Sequence, residues 1–328
     1  MYQFVQVAGK SSKSKALCMQ FSEGLRYNRA CFNLFYYALI RIQKSMSASG
    51  LTTACHDWHV AHGGRMVDFA GWDMPVQYSS IVSEHEAVRN RAGLFDVAHM
   101  GRLWFSGKDS IALLSKILTL NVSKLTNGQV KYGFVLNEQG GILDDILLYR
   151  LPDQFMLVVN ASNRSTIVDW INQHRTGLGV EFTDKTREQF MCALQGPLAE
   201  NILQAHTETD LGSLPYYHVT QANLFGQQVI LSRTGYTGED GFEIILPSEL
   251  GSGLWESIMQ AGSADGIEPA GLGCRDTLRL EAAMPLYGHE LNTEIDPITA
   301  GLRFGVQLKG TDFIGHDILS ERSILLEI

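Results

Sequence analysis

The sequence predicts an α+β fold, and two observations predict it. The apolar run Tyr132–Leu136 is joined to Ile142–Tyr149 by a short polar segment ending in Gly140-Gly141, the pattern of a β-hairpin. Along the rest of the chain, short apolar strand runs alternate with stretches of helical spacing bounded by capping or breaking residues. Such elements bury their apolar faces by packing in layers.

In the hairpin, the two glycines supply the positive φ angles that a tight connection needs. Asp144 and Asp145 then interrupt an otherwise apolar strand, where aspartate is a poor β former. Neighbouring strand residues point to opposite faces. With Asp144 in water, Asp145 shares a face with Leu143, Leu147 and Tyr149 and is expected to be the buried one. Two readings stand at this point: an inward charge protecting an edge strand, or a carboxylate held for chemistry.

Composition narrows the function classes. A chain of 328 residues with 45% hydrophobic and 9% aromatic content is globular and long enough for two or three domains. Residues 1–50 hold seven of the 26 Lys and Arg and one of the 35 acidic residues, leaving 19 against 34, a net of −15. So acidic a body argues against nucleic acid as a partner, because phosphate contacts dominate that affinity. The longest apolar run, Phe32–Ile40 broken by Asn33, is far short of the ~20 residues of a membrane span, so no membrane partner is expected. Cys18, Cys31, Cys55, Cys192 and Cys274 show no C-x-x-C pairing, which points to reduced thiols and an intracellular, cytoplasmic location.

Residues 1–50 differ from the rest, being basic, serine-rich and nearly free of acids. They read as an extension ahead of a natural start at Met46, with a mitochondrial transit peptide as the alternative. His56, His59 and His62 follow at i, i+3 and i+6. On a helix His56 and His62 diverge by ~120°, and no H-E-x-x-H or second ligand cluster accompanies them. The stretch is read as a short helix closed by Gly63-Gly64, and no metal is expected. Residues 65–80 read as a strand and turn, 80–92 as a helix ended by Gly93, and Leu94–Met100 as a strand continued by 101–107. Asp109 is the expected N-cap of a helix reaching Leu118. His99 is a candidate general base, though a lone His is commonly a hydrogen-bonded core residue.

Further strands are expected at Gln154–Asn160, Val180–Thr183, Met191–Leu194 and Val229–Arg233, with helices at 164–174 and from about Pro197. No P-loop, dinucleotide fingerprint or nucleophile elbow occurs, which argues against nucleotide and serine-nucleophile chemistry. The segment Arg233–Leu246 has three glycines in seven residues and places Glu243 inside an apolar strand. A carboxylate so placed suits a heterocycle with adjacent N–H donors, accepted by both its oxygens; a solvated strand face is the alternative. A helix is expected from near Gly273, ending before Pro285, and carrying Arg275 and Arg279 one turn apart. Surface ion pairing is the default for both, and an Arg in a first helical turn can instead be aimed into a pocket.

Five motifs in order, A-H-G-G-R-M-V-D-F-A-G-W-D-M-P-V-Q-Y, L-F-D-V-A-H-M, N-E-Q-G-G-I-L-D-D, R-T-G-Y-T-G-E-D-G-F-E and A-G-L-G-C-R-D-T-L-R-L-E-A, resemble the aminomethyltransferases, the T protein of the glycine cleavage system. The match covers about residues 51–320. The resemblance implies an aminomethyltransferase folate-binding fold, with mostly antiparallel sheets, packed helices and two interleaved subdomains over 51–310. It also implies that 311–328 begins a C-terminal β-barrel domain most of which is missing. The activity it implies is transfer of a one-carbon unit from the aminomethyl-lipoyl H protein to tetrahydrofolate, with release of ammonia. Asp145 would be the catalytic carboxylate, Glu243 and Arg275 would bind the pterin, and Tyr132, Asn160, Tyr236 and Met100 would line the same pocket. The family's F-D-V-S-H-M reads Phe95–Met100 with Ala98 here. Two alternatives remain, a related tetrahydrofolate-dependent demethylase and a non-catalytic folate-binding protein.

Overall fold

The computed structural model describes residues 50–325; the basic N-terminal stretch, with Cys18, Cys31 and the reading of Met46 as a start, lies outside the described residues. A short helix α1 (His56–Ala61) leads into a hairpin of β1 (Arg65–Phe69) and β2 (Trp72–Gln77), then helix α2 (Ile81–Asn90). Gly63 closes α1 in the left-handed region at φ +79°, and Ser80 caps α2 by accepting from the Ser83 amide. The strand expected over 94–107 is two strands in different sheets. β3 (Gly93–Asp96) and β4 (Gly101–Ser106) are separated by a turn at Val97–Met100, because Asp96 Oδ1 accepts from the Ala98 amide and bends the chain.

Next come α3 (Ser110–Ile117), β5 (Val130–Leu136), β6 (Ile142–Arg150), β7 (Phe155–Val159) and α4 (Arg164–His174). Asp109 does stand at the N-cap of α3, but its carboxylate accepts from the Gly179 amide and makes no capping bond. The chain continues through β8 (Glu181–Asp184), β9 (Gln189–Gln195), α5 (Ala199–Gln204), β10 (Val219–Leu224), β11 (Gln227–Ser232) and β12 (Gly241–Pro247). It ends with α6 (Gly251–Ala261), β13 (Glu268–Pro269), α7 (Leu272–Glu281) and α8 (His316–Leu325).

Beyond the β1–β2 hairpin, a six-stranded sheet runs β10-β11-β12-β9-β3-β13 and a five-stranded sheet runs β5-β6-β7-β4-β8. All the pairings are antiparallel except β13 with β3. The alternation of side chains assigns each strand face to a core. On β9 and β12, Phe190, Cys192, Leu194, Phe242, Ile244 and Leu246 pack outward with Leu254, Trp255 and Ile258 of α6. On β4, β6 and β7, Leu103, Ile146, Leu148 and Leu157 pack outward with Leu113 and Leu114 of α3 and Ile167 and Ile171 of α4. The inner faces meet each other. Met191, Ala193 and Ile245 of one sheet lie with Trp104, Tyr149, Met156 and Val158 of the other, and with Cys274 and Leu278 of α7. The result is helix, sheet, sheet, helix. A fourth cluster packs the segment around Leu291, Ile298, Phe313 and Leu319 over Phe134, Leu136 and Ile142 of the β5–β6 hairpin.

This layering corrects two expectations about the aspartate pair. β6 lies between β5 and β7, so it is not an edge strand and the edge-protection reading fails. Asp144 is the fully buried member and Asp145 the half-buried one. The grouping of Asp145 with Leu147 and Tyr149 holds, but that face borders a cavity; Leu143, at an irregularity in the β5–β6 register, packs with the opposite face instead. The opposite face, with Ile146 and Leu148, enters the core beneath α3 and α4.

Candidate active site between the two sheets

A cavity of about 980 Å³ opens at one end of the layer between the sheets, a size common for ligand-binding sites. Met100, Tyr132, Asp145, Asn160, Tyr236, Glu243 and Arg275 all line it. The strand period explains the two carboxylates. Glu243 follows Phe242 on β12 and Asp145 follows Asp144 on β6, so each points from its own sheet into the shared layer.

Glu243 is held on one side only. Its Oε2 accepts from Thr234 Oγ1 at 2.5 Å and Tyr149 Oη at 3.2 Å, across the two sheets. Ser232 lies 2.7 Å from Thr234 and completes the chain of hydroxyls. Glu243 Oε1 accepts from no described residue. The two-oxygen acceptance expected from sequence would compete with these hydroxyls, and Oε1 is the oxygen left open.

Arg275 lies in the first turn of α7, with its guanidinium 4.7 Å over the Tyr236 ring. Its Nη1 is buried without a hydrogen-bond partner. Burial lowers its proton affinity, and the nearby Glu243 charge opposes that. Arg279, one turn on, is instead bound to Asp276 at 2.9 Å and Glu290 at 2.7 Å. Of the two arginines expected on this helix, one is thus neutralised by protein and one is left to the cavity. Tyr236 is fixed by its hydroxyl donating to the Pro285 carbonyl at 2.5 Å.

Asp145 Oδ2 accepts from Tyr132 Oη at 3.2 Å, and Asp145 Oδ1 accepts from Asn160 Nδ2 at 2.8 Å. Burial pushes its carboxyl up to about 6, with these two donors pulling the other way. Tyr132 is in turn stacked on Phe304, whose ring centroid is 5.6 Å away and which is 77% exposed at the cavity mouth. Met100 and His99 come from the turn between β3 and β4. Arg102 clamps that turn by donating to the carbonyls of Ala98 and Met100. His99 lines the cavity but is held neutral: burial and the nearby Arg275 depress it to about 3, and its Nδ1 has no partner. A base with that affinity takes up no proton near neutrality. His289 also lines the cavity, whereas the histidines of the 56–62 stretch go elsewhere. His59 is buried between Asp96 at 2.9 Å and the Tyr78 hydroxyl at 2.8 Å, and His56 pairs with Asp73 at 2.9 Å.

Sequence reasoning overlooked Asn163 and undervalued Asp144. A legible signal was present: a buried aspartate needs N–H donors, and Asn160-Ala161-Ser162-Asn163 places two carboxamides where β7 ends and α4 begins. Phe304 and Tyr287, also on the wall, lie in an irregular segment without periodicity to flag them.

A mostly apolar cavity between two sheets, with polar atoms left open at a few points of its wall, defines a small-molecule-binding α+β protein. Residues 55–310 match the family model described as GCVT N-terminal domain. The chain is 50% identical over 264 residues to an aminomethyltransferase of Geobacillus sp. (strain WCH70), covering 80% of this chain and 72% of that one. It is 45% identical over 269 residues to an aminomethyltransferase of Desulfitobacterium hafniense (strain DSM 10664 / DCB-2), covering 82% and 74%. Its structure is similar to that of glycine cleavage system aminomethyltransferase T from Bartonella henselae, with a TM-score of 0.78, 33% identity, and coverage of 84% and 75%. The chain belongs to the aminomethyltransferase family, the T proteins of the glycine cleavage system.

Proposed function

We propose that this cavity is the folate site of an aminomethyltransferase, that the donor is the aminomethyl-lipoyl arm of the H protein, and that Asp145 is the catalytic carboxylate. One observation carries the reading. Glu243 Oε1 is an acceptor left open on the cavity wall, and Arg275 Nη1 on the same cavity is buried without a protein partner. An unpaired buried donor is costly, and a ligand offering it an acceptor oxygen while giving an N–H to the open carboxylate oxygen, as a 2-amino-4-oxo pterin does, answers both groups. Glu243 and Arg275 would hold that ring, and Tyr236, Tyr132, Asn160 and Met100 would form the walls beside it.

In the overall transfer the carbon leaves sulfur and ammonia and joins two folate nitrogens. Those nitrogens release two protons, one to the departing amine and one to the lipoyl thiolate. The part assigned to Asp145 is positional and electrostatic: its carboxylate accepts from, and orients, the nitrogens that must lose protons. Tyr132 and Asn160 hold that carboxylate in place. No group of three or more His, Cys, Asp or Glu suited to a metal ion occurs among the described residues, and no described helix is long and apolar enough to cross a membrane. A cytoplasmic setting accompanies the reading, since Cys55, Cys192 and Cys274 are free thiols in the core.

The test is titration of the 328-residue chain with tetrahydrofolate, followed by an ammonia-release assay with aminomethylated H protein. Saturable binding and release are expected. Folate binding without ammonia release from that donor would reject the transfer assignment in favour of another one-carbon donor or a binding role.

A further inference from the structure

We infer that Asp144, which lies outside the cavity wall, is a positioning residue: it fixes the Asn160 carboxamide so that Nδ2 serves Asp145 and Oδ1 is left as the acceptor for a ligand N–H. The inference rests on the reading of the cavity as the transfer site.

Asp144 is fully buried, and a carboxylate there requires donors. It has three. Oδ2 accepts from the Asn160 backbone amide at 3.0 Å. Oδ1 accepts from Asn160 Nδ2 at 2.8 Å and Asn163 Nδ2 at 2.7 Å. Asn160 Nδ2 is therefore shared between Asp144 Oδ1 and Asp145 Oδ1, each at 2.8 Å. A carboxamide has two N–H donors and its orientation follows from its partners. Inverting it would bring its oxygen against two carboxylate oxygens. Asn160 lines the cavity, and its Oδ1 accepts from no described residue. The two aspartates thus divide the work. Asp145 faces the ligand, while Asp144 selects which end of Asn160 does.

An isosteric change at Asp144 distinguishes this from a plain structural tie. An amide at 144 cannot accept at both oxygen positions. The Asn160 backbone N–H cannot turn away, so the new oxygen stays with it and the new NH2 faces the carboxamides of Asn160 and Asn163. Each is relieved only by inverting. An inverted Asn160 presents oxygen to Asp145 and NH2 to the cavity, so the ligand loses an acceptor and meets a donor.

The experiment is a double-mutant cycle on the full chain with Asp144→Asn and Asn160→Ala, read as ammonia release, melting midpoint and the Asn160 side-chain amide NMR signal. Asp144→Asn is expected to lower kcat at least about tenfold, the scale of a lost charge-assisted hydrogen bond. In the Asn160→Ala background it should add less than about twofold. An equal loss in both backgrounds, or no loss in the first, overturns the inference. The NMR signal needs no turnover: in the unliganded chain both Asn160 amide protons should be protected from exchange and should move in Asp144→Asn. If that variant fails to fold, the unsubstituted signal decides, and solvent-like exchange overturns the positioning. A chain that releases no ammonia yet shows the protected, Asp144-dependent amide would reject the transfer reading and keep this one.

Discussion

The Tyr132 hydroxyl donates to Asp145 Oδ2 at 3.2 Å, and this bond opposes the burial that raises the Asp145 carboxyl to about 6. Tyr132→Phe removes the donor, so the carboxyl rises further. With Asp145 acting as the ionised group, the acid limb of kcat/KM lies near pH 6 in the unsubstituted chain and moves to higher pH in the variant. At alkaline pH the two rates converge. A pH–rate profile of both proteins checks this, and a limb that stays put or moves down would remove Asp145 from the role proposed.

Asp145→Asn separates function from stability. A carboxyl raised from its ordinary 3.8 to about 6 binds its proton more tightly in the folded state. Its contribution to stability is therefore fully present below the ordinary value and is lost as pH rises through about 6. The variant has no proton to lose. Its melting midpoint relative to the unsubstituted chain should improve between acid and neutral pH, while turnover disappears and tetrahydrofolate binding mostly survives. Melting curves at the two pH values and a calorimetric titration measure both effects. A constant gap in midpoint, or near-normal turnover, contradicts the assignment.

How far the sequence could be read follows from where the signals are local. Helix 164–174 and the hairpin at Gly140-Gly141 rest on patterns within a few residues, and they stand in the structure as expected. The Asp144/Asp145 pair shows the limit. Strand period correctly grouped Asp145 with Leu147 and Tyr149, yet which face is drier depends on the second sheet and on the helices behind it, which no local pattern encodes. The break between β3 and β4 was hidden for a similar reason: Asp96 turns the chain through one side-chain bond inside a run that is buried almost throughout. The seven candidate residues, of which residue pattern singles out Asp145, Glu243 and Arg275 and the resemblance supplies the rest, line one cavity from β5, β6, β12, α7 and the loops beside them. Asp144, behind the wall, lies in the N-E-Q-G-G-I-L-D-D motif but reads there as the water-facing member of its pair, and Asn163, on the wall, lies in none of the motifs.

Arg275→Met tests the orphan cation. Its Nη1 is buried and unpartnered, and burial already lowers its proton affinity. A methionine of similar length relieves the desolvation of that charge but forgoes its attraction to Glu243 and its contact with Tyr236, so the melting midpoint of the free chain should change little. Tetrahydrofolate affinity should fall by about tenfold or more, the scale of a hydrogen bond to a charged group. Affinity measured beside the melting midpoint settles the matter: lost stability with unchanged affinity would make Arg275 a structural residue.

Gly141 lies three residues before Asp144, and the segment over the hairpin depends on its missing side chain. A Cβ there would stand 1.9 Å from the Thr293 carbonyl oxygen and 2.8 Å from Asn137 Nδ2. Both are fixed, since Asn137 Nδ2 donates to that carbonyl and the Ile142 amide donates to Ile295. Gly141→Ala must push the 293–295 backbone away, at a cost of about 1–3 kcal/mol for the overpacking, and it breaks bonds that align β6. Gly140→Ala is the control. It carries the strain of φ +80°, but its nearest neighbour is the Ile318 side chain at 3.1 Å, which can yield. The expected order of melting midpoints is therefore unsubstituted, Gly140→Ala, then Gly141→Ala. Turnover should follow the same order because Asp144 and Asp145 ride on the displaced strand. If Gly141→Ala melts as high as Gly140→Ala, the 293–295 segment is not what holds the hairpin in place.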